Sequence, residues 1–162
     1  MRSKIESMKT KLTSILLIFI ACAVAARAQT SNLFAAARTN DVNSARVLLA
    51  SNADVNQQDD KGYTPLIMAT YDGSYEVAQL LEHGALTEKK DRAGRTALMG
   101  ASFKGDERDV ALLLQHGADE NAKDSTGLNS MMYAVMFGRI SVIKALRANQ
   151  TSKSATASTS SY

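Results

Sequence analysis

Apolar residues recur at spacings of three and four in two central segments of the chain. They are Val77, Leu80 and Leu81 in the first segment and Val110, Leu113 and Leu114 in the second. This spacing places an apolar stripe along an α-helix. A shorter helix is predicted before each stripe, for example from Thr64 to Tyr71, because Thr64 can cap a first turn that Pro65 also favours. Gly73 then ends that helix, so the pattern predicts pairs of short helices.

The helix pairs repeat along the chain. A five-residue phrase occurs three times, and its glycines, Gly62, Gly94 and Gly127, lie thirty-two and thirty-three residues apart. At fixed offsets an alanine and a glycine follow, such as Ala69 and Gly73. Self-similarity at this period indicates stacked repeats, in which each unit buries its apolar face against its neighbours. Such stacks form surfaces that bind other proteins more often than pockets for chemistry.

The repeated residues resemble the ankyrin repeat. The matching motifs are Gly-x-Thr-Pro-Leu starting at Gly62, Leu-Leu-Glu-His-Gly-Ala ending at Ala85, and Ala53-Asp54-Val55-Asn56. The resemblance covers about residues 31–149 and implies an all-α solenoid of four helix-turn-helix units with short turns between them. Within a domain spanning 29–150, these units are expected at about 31–58, 59–90, 91–123 and 124–149.

The first unit is degenerate, with Leu33 and Ala36 at the Leu66 and Ala69 positions. Asn40 and Asn52 replace its two glycines. The histidine usual in the family after Thr-Pro-Leu is replaced by Ile67, Met99 and Met132, which predicts a more apolar layer there. Leu81 and Leu114 are expected to be buried between stacked helices. They share one position of the second helix with Leu49, and the fourth unit has Arg147 there. A charge at that position predicts that the array ends there.

The resemblance implies a partner-binding site on the turn tips and first-helix ends, which line a concave groove. Carried onto this chain, the implied residues are Arg38, Asp60, Lys61, Tyr63, Tyr71, Asp72, Lys90, Arg92, Arg95, Phe103, Lys104, Leu128, Met136 and Phe137. Tyr71, Phe103 and Phe137 are predicted anchors, since aromatic residues dominate interface energetics. The alternative is that these rings pack on neighbouring repeats.

Lys89, Lys90, Arg92 and Arg95 form a dense basic cluster. It is either a solvated face or a patch that steers an acidic partner toward the groove.

Residues 1–28 have the features of a secretory signal peptide. A basic start precedes an apolar stretch at 15–26, and Ala26-Arg27-Ala28 provides a cleavage site after Ala28. The stretch is shorter than the roughly 20 residues of a membrane span. We therefore expect a periplasmic or secreted protein without stable membrane insertion after cleavage. An uncleaved anchor, a lipoprotein modified at Cys22 and a start at Met8 are the alternatives.

Removal of residues 1–28 changes the charge of the chain. The whole chain has 19 basic and 16 acidic residues, but five basic residues and Glu6 leave with the signal. The remainder has 14 basic and 15 acidic residues, a net charge of −1, so nucleic acid is not expected as a partner. Residues 151–162 are nearly all Ser, Thr and Ala, and we expect a disordered tail because they bury too little apolar surface.

The sequence predicts a non-catalytic module that is monomeric when free. No catalytic motif, cofactor site or metal site is recognised, and the two histidines, His83 and His116, occupy equivalent repeat positions. We expect an exported or envelope protein as the partner, with inhibition, immunity or escort of an envelope enzyme as the role. The alternatives are a host-directed secreted effector and a metal-binding or enzymatic protein that uses His83 or His116.

Export gives a direct prediction. Protein purified from its own cells should begin at Gln29, because the Ala26-Arg27-Ala28 site precedes it. Intact-mass spectrometry of the soluble pool checks this prediction. A soluble protein that retains residues 1–28 would contradict it, and lipid on Cys22 would instead identify a lipoprotein.

Overall fold

The computed structural model describes residues 32–74, 78 and 80–159, with side chains in the last helix described as far as Lys153. These residues contain helices and no strands. The helices are α1 (Leu33–Thr39), α2 (Val42–Ala50), α3 (Pro65–Asp72), α4 (Ala97–Lys104), α5 (Glu107–Gln115), α6 (Ser130–Met136) and α7 (Ile140–Thr159). Ala78, Leu80 and Leu81 are also helical, in the segment between α3 and α4. The predicted all-α repeat is therefore confirmed.

Local sequence determines where the helices begin and end. Thr64 Oγ1 accepts a hydrogen bond of 3.1 Å from the Ile67 amide, and Pro65 occupies the first position of α3. Gly73 ends this helix with φ of +75°. Asn40 and Asn52, which replace glycines in the first unit, have φ values of +53° and +59°. Asparagine tolerates this left-handed backbone better than most residues, so the degenerate unit keeps its turns.

The first helices of the units stack in a row. Helix α3 packs against α1 and α4, and α4 packs against α6. An alanine recurs at the same position in all four of these helices and is buried in each. These residues are Ala36, Ala69, Ala101 and Ala134.

Gly100 permits the closest approach in this row. A Cβ atom added there would lie 2.8 Å from Thr70 Oγ1 and 2.9 Å from Tyr71 Cδ2. Both distances are shorter than a van der Waals contact, so a side chain at position 100 would push α4 away from α3.

The second-helix leucines are buried to different degrees. Leu81 is fully buried as predicted, whereas Leu49 and Leu114 are only partly buried. In α5 the core position belongs to the neighbouring Leu113, because Leu114 lines an open cleft between α5 and α7. The expectation of full burial is therefore wrong for Leu114. Arg147 is exposed.

Helix α7 continues through residues 151–159, where the sequence predicts the start of a disordered tail. No glycine or proline interrupts Ile140–Thr159, and Thr151 Oγ1 donates a 2.9 Å hydrogen bond to the Ala148 carbonyl. Lys153 Nζ lies 3.8 Å from the buried Glu120 carboxylate, which links this extension to the preceding unit. The structure thus differs from the expected tail, since local hydrogen bonding and this ion pair offset part of the ordering entropy.

Hydrogen bonds link each turn tip to the next. We define the tips as residues 59–63, 91–95 and 124–128. The Arg92 amide donates to the Lys61 carbonyl at 3.0 Å, and the Ser125 amide donates to the Ala93 carbonyl at 2.9 Å. Gly94 lies against the following tip, where an added Cβ would be 2.9 Å from the Ser125 nitrogen. This spacing fixes the relative positions of neighbouring tips.

Two glycine substitutions distinguish the stability contributed by contact between neighbouring tips from the cost of a left-handed backbone. Gly94 and Gly127 both have positive φ, but a Cβ atom at Gly127 would meet nothing within 4 Å. We expect Gly127→Ala to lower the free energy of unfolding by about 1–2 kcal/mol, the cost of a left-handed alanine. Gly94→Ala should cost about 1–3 kcal/mol more, because the tips must also move apart. Denaturant titration measures both, and equal losses would contradict the tip-spacing argument.

Candidate partner-binding site

Four aromatic rings from three successive units form a continuous row. The Tyr63 and Tyr71 centroids are 6.0 Å apart, Tyr71 and Phe103 are 5.6 Å apart, and Phe103 and Phe137 are 4.6 Å apart. These distances are typical of edge-to-face and tilted aromatic pairs. We call this set the aromatic ladder. The stacking of the units brings together four predicted site residues that are separated by up to seventy-four positions in sequence.

The ladder residues are not freely exposed rings. Tyr63, Tyr71 and Phe103 are half-buried, and only Phe137 is in the exposed class. The rings therefore do pack on neighbouring repeats, as the alternative interpretation proposed, while each keeps part of its surface toward solvent. Phe103 has a ring on either side, so its truncation must affect the fold as well as any partner. Their role as anchors stays a prediction.

Arg95 is held against the first two rings of the ladder. Its Nη2 lies 2.7 Å from both Tyr63 Oη and Asp91 Oδ2, and Nε donates to the same carboxylate oxygen at 2.7 Å. The guanidinium carbon is 5.6 Å from the Tyr63 centroid and 5.5 Å from the Tyr71 centroid, within cation–π range. This side chain is engaged within the protein, so a steering role for Arg95 does not fit the geometry.

Charge and burial shift the pKa values of Arg95 and Tyr71. Burial acts to lower the pKa of Arg95, but the Asp91 hydrogen bond and the nearby ionisable groups outweigh it and raise the pKa. Burial also raises the pKa of Tyr71, although Arg95 opposes that shift. At neutral pH Arg95 therefore stays charged beside the ladder, in an ion pair with Asp91.

The predicted tip residues differ in their surroundings. Asp60, Lys61 and Arg92 are exposed, and Leu128 is half-buried in the third tip. Lys90 Nζ donates a 3.0 Å hydrogen bond to the Lys123 carbonyl, so it links the segments that directly precede two tips as well as facing solvent.

The predicted helix-end residues lie beside the ladder in sequence. Asp72 and Lys104 are exposed and directly follow Tyr71 and Phe103. Met136 is exposed next to Phe137. At the first unit, Arg38 Nη2 lies 3.9 Å from Met68 Sδ, so Arg38 contacts the second unit outside the ladder.

The two histidines do not form a shared metal site in the described structure. His116 Nδ1 lies 2.5 Å from Glu82 Oε1 and 3.1 Å from the Leu112 carbonyl oxygen. Burial raises the pKa of Glu82, and His116 and His83 partly counteract this shift. Among the residues described, no group of three or more His, Cys, Asp or Glu side chains is arranged to hold a metal ion.

The family model described as ankyrin repeats (3 copies) matches residues 9–91, 32–124 and 85–157. The chain belongs to the ankyrin-repeat family. Ankyrin repeats are generally non-catalytic scaffolds for protein interaction, so this chain is a protein-binding module. Among curated protein sequences, no significant match was found. None of the helices in the described part combines the length and apolarity needed to span a bilayer.

Sequence reasoning missed the aspartate that organises each ankyrin tip. Asp59, Asp91 and Asp124 each accept two backbone amide hydrogen bonds through Oδ1, at 2.8–2.9 Å. Their spacing of thirty-two and thirty-three residues repeats that of the tip glycines and could have identified them. Tyr133 Oη also donates to Asp124 Oδ2 at 2.8 Å.

Hydrogen bonding also affects the ionisation of Asp124. Burial acts to raise its pKa, but hydrogen bonds from Thr126, Tyr133 and the Leu128 amide lower the pKa to about 2. The carboxylate therefore remains ionised well into the acidic range and keeps its role in the third tip.

Arginine-to-lysine changes distinguish the two tip arginines. Arg95→Lys keeps the charge but loses the planar fork that reaches Asp91 and Tyr63, so the free energy of unfolding should fall by about 1–3 kcal/mol. Arg92→Lys, at an exposed position of the same tip, should stay within about 0.5 kcal/mol of the unmodified protein. Denaturant titration of both variants checks this, and equal stabilities would mean that the Arg95 contacts contribute nothing.

Proposed function

We propose that this ankyrin-repeat chain is exported and binds a protein of the cell envelope through its concave groove, as an inhibitor, immunity partner or escort of an envelope enzyme. The observation that supports this proposal best is the aromatic ladder. Its rings are too exposed to be ordinary core residues, and they are aligned across three units.

The ladder is organised before a partner arrives. Each ring contacts a neighbour, and Arg95 is fixed by a buried carboxylate. Side chains already restricted in this way lose little conformational entropy on binding, which leaves more of the contact energy as affinity. Aromatic and arginine side chains are also the residues that most often dominate protein interfaces.

Exposed charges of both signs lie near ladder residues, and the cations among them favour a partner with acidic groups. Lys61, Arg92 and Lys104 are exposed cations near its rings, whereas Asp60 and Asp72 are exposed anions. Steering by such cations raises the association rate more than the affinity. Because Arg95 is engaged within the protein, the expected steering residues are Arg92 and Lys104.

The proposed compartment rests on the sequence of residues 1–28, which lie outside the described residues. An exported ankyrin module meets envelope proteins first, so its partner is sought there. The proposed role as inhibitor, immunity partner or escort follows from that location and from the protein-binding character of the family.

A matched pair of truncations tests the groove. Phe103→Ala removes the central ring of the ladder, and Leu48→Ala removes a half-buried side chain from α2. Both changes should cost some stability, but only Phe103→Ala should weaken partner binding, by about 5- to 30-fold or about 1–2 kcal/mol. The partner is first isolated by cross-linking in native cells, and its affinity for each variant is then measured below the unfolding transition.

The comparison separates an anchor from a core residue. If Phe103→Ala and Leu48→Ala weaken partner binding equally, the effect comes from stability and the ladder is not the binding site. If neither variant changes the affinity, the partner binds elsewhere on the protein.

A further inference from the structure

The first helix of the last unit exposes a group of large apolar side chains. Met132 is 44% exposed and Val135 is 58% exposed on α6, and Ile140 at the start of α7 is 65% exposed. Single exposed apolar residues are common on protein surfaces, but a contiguous group indicates an interaction site.

Earlier units show what these positions normally contact. Met132 and Val135 correspond to Met99 and Ser102 in α4, thirty-three residues earlier, which in turn correspond to Ile67 and Thr70 in α3. The four earlier residues are completely buried, in helices that pack against the first helix of the following unit. On α6 the same stacking surface is present, and among the described residues no further unit covers it.

Basic residues of α7 lie on the same end of the array. Lys144 and Arg147 correspond to Ala111 and Leu114, which line the cleft between α5 and α7. They therefore occupy the positions that would face a following unit. Ile140 precedes them by four and seven residues, so all three share one side of the helix. We call Met132, Val135, Ile140, Lys144 and Arg147 the terminal face.

The charged side chains of the terminal face itself have a single sign. No Asp or Glu follows Asp124 in the sequence, whereas Arg139, Lys144, Arg147 and Lys153 are all basic. Arg139 donates its Nε hydrogen bond to the Phe103 carbonyl at 3.0 Å, inside the array. Lys144 and Arg147 are exposed to solvent. The terminal face thus combines an apolar centre with a cationic border.

We propose that the terminal face binds an acidic amphipathic helix of a partner protein. A helix occupies the equivalent place in each earlier unit, so the surface already has the shape for one. An apolar stripe on that helix would cover Met132 and Val135, and its carboxylates would lie over Lys144 and Arg147. Two copies of this chain joined through the same face would bring like charges together, which disfavours self-association. The terminal face shares no residue with the set expected to line the groove.

Two synthetic peptides test the proposed chemistry. Each is an amphipathic helix of about 18 residues, or about five turns, with the same leucine stripe and one tryptophan. The polar face is glutamate in one peptide and lysine in the other. Because the chain contains no tryptophan, the emission of the peptide reports binding to the protein produced from the full 162-residue chain. The glutamate peptide should bind at least about tenfold more tightly than the lysine peptide at physiological ionic strength.

Substitutions assign this binding to the terminal face. The double substitution Met132→Ser with Val135→Ser should weaken binding of the glutamate peptide at least about tenfold, because it removes the apolar centre of the terminal face. Lys144→Glu with Arg147→Glu should reverse the preference between the peptides. Arg46→Glu provides the matched control, because Arg46 is exposed at the Lys144 position of the first unit and should leave the preference unchanged. Phe103→Ala should also leave it unchanged, which separates this site from the groove.

Several results would overturn the proposal. Equal affinity for the two peptides, or no binding of either, would show that the face does not select an acidic helix. Sedimentation showing self-association that Met132→Ser with Val135→Ser abolishes would assign the face to a second copy of the chain. If Phe103→Ala abolishes peptide binding and the terminal-face substitutions leave it unchanged, the peptide binds in the groove and not on the terminal face.

Discussion

The apolar faces of the helix pairs are buried against the neighbouring pairs in the stack, and the rest of the structure depends on this stacking. The contact between α3 and α4 shows how close the approach must be, since Gly100 leaves space that Thr70 and Tyr71 occupy. The same contact brings the Tyr71 and Phe103 rings to 5.6 Å, and neighbouring tips share backbone hydrogen bonds. A surface assembled in this way is only as ordered as the stack beneath it. Changes that loosen the packing between units should therefore also disturb the ladder.

Arg95 and Asp91 connect this packing to the surface. Asp91 organises its own tip through two amide hydrogen bonds and also holds the guanidinium between two rings. A buried carboxylate is costly unless it is well paired, and here one cation and two amide donors pair it. The rings gain a cationic neighbour as a consequence. The stability of the tip and the chemistry of the candidate site thus depend on the same pair of residues.

Periodicity was sufficient to predict the elements, because the same residues recur at the same offsets. The caps at Thr64 and Gly73, and the core role of Leu81, could be read from the pattern of their own unit. Side-chain packing between units could not be read in this way. Arg92 and Arg95 look equivalent in sequence, yet only Arg95 reaches Asp91 and Tyr63. The partial burial of Leu114 could not be read from the sequence either, because it follows from the open cleft between α5 and α7. The same holds for the helix after Gln150, where Lys153 pairs with Glu120 of the preceding unit.

The end of the array combines a charged position with an apolar surface. Arg147 was expected to end the stack, because a charge there disfavours another repeat. Met132 and Val135 have the opposite character, since they keep the apolar surface on which a helix would stack. A purely polar end would favour solubility alone, and a purely apolar end would favour uncontrolled association between copies. A cationic border around an apolar centre instead admits helices of one charge and repels others. Selection by charge at the end of the stack and binding at the aromatic ladder would let one small protein engage two surfaces independently.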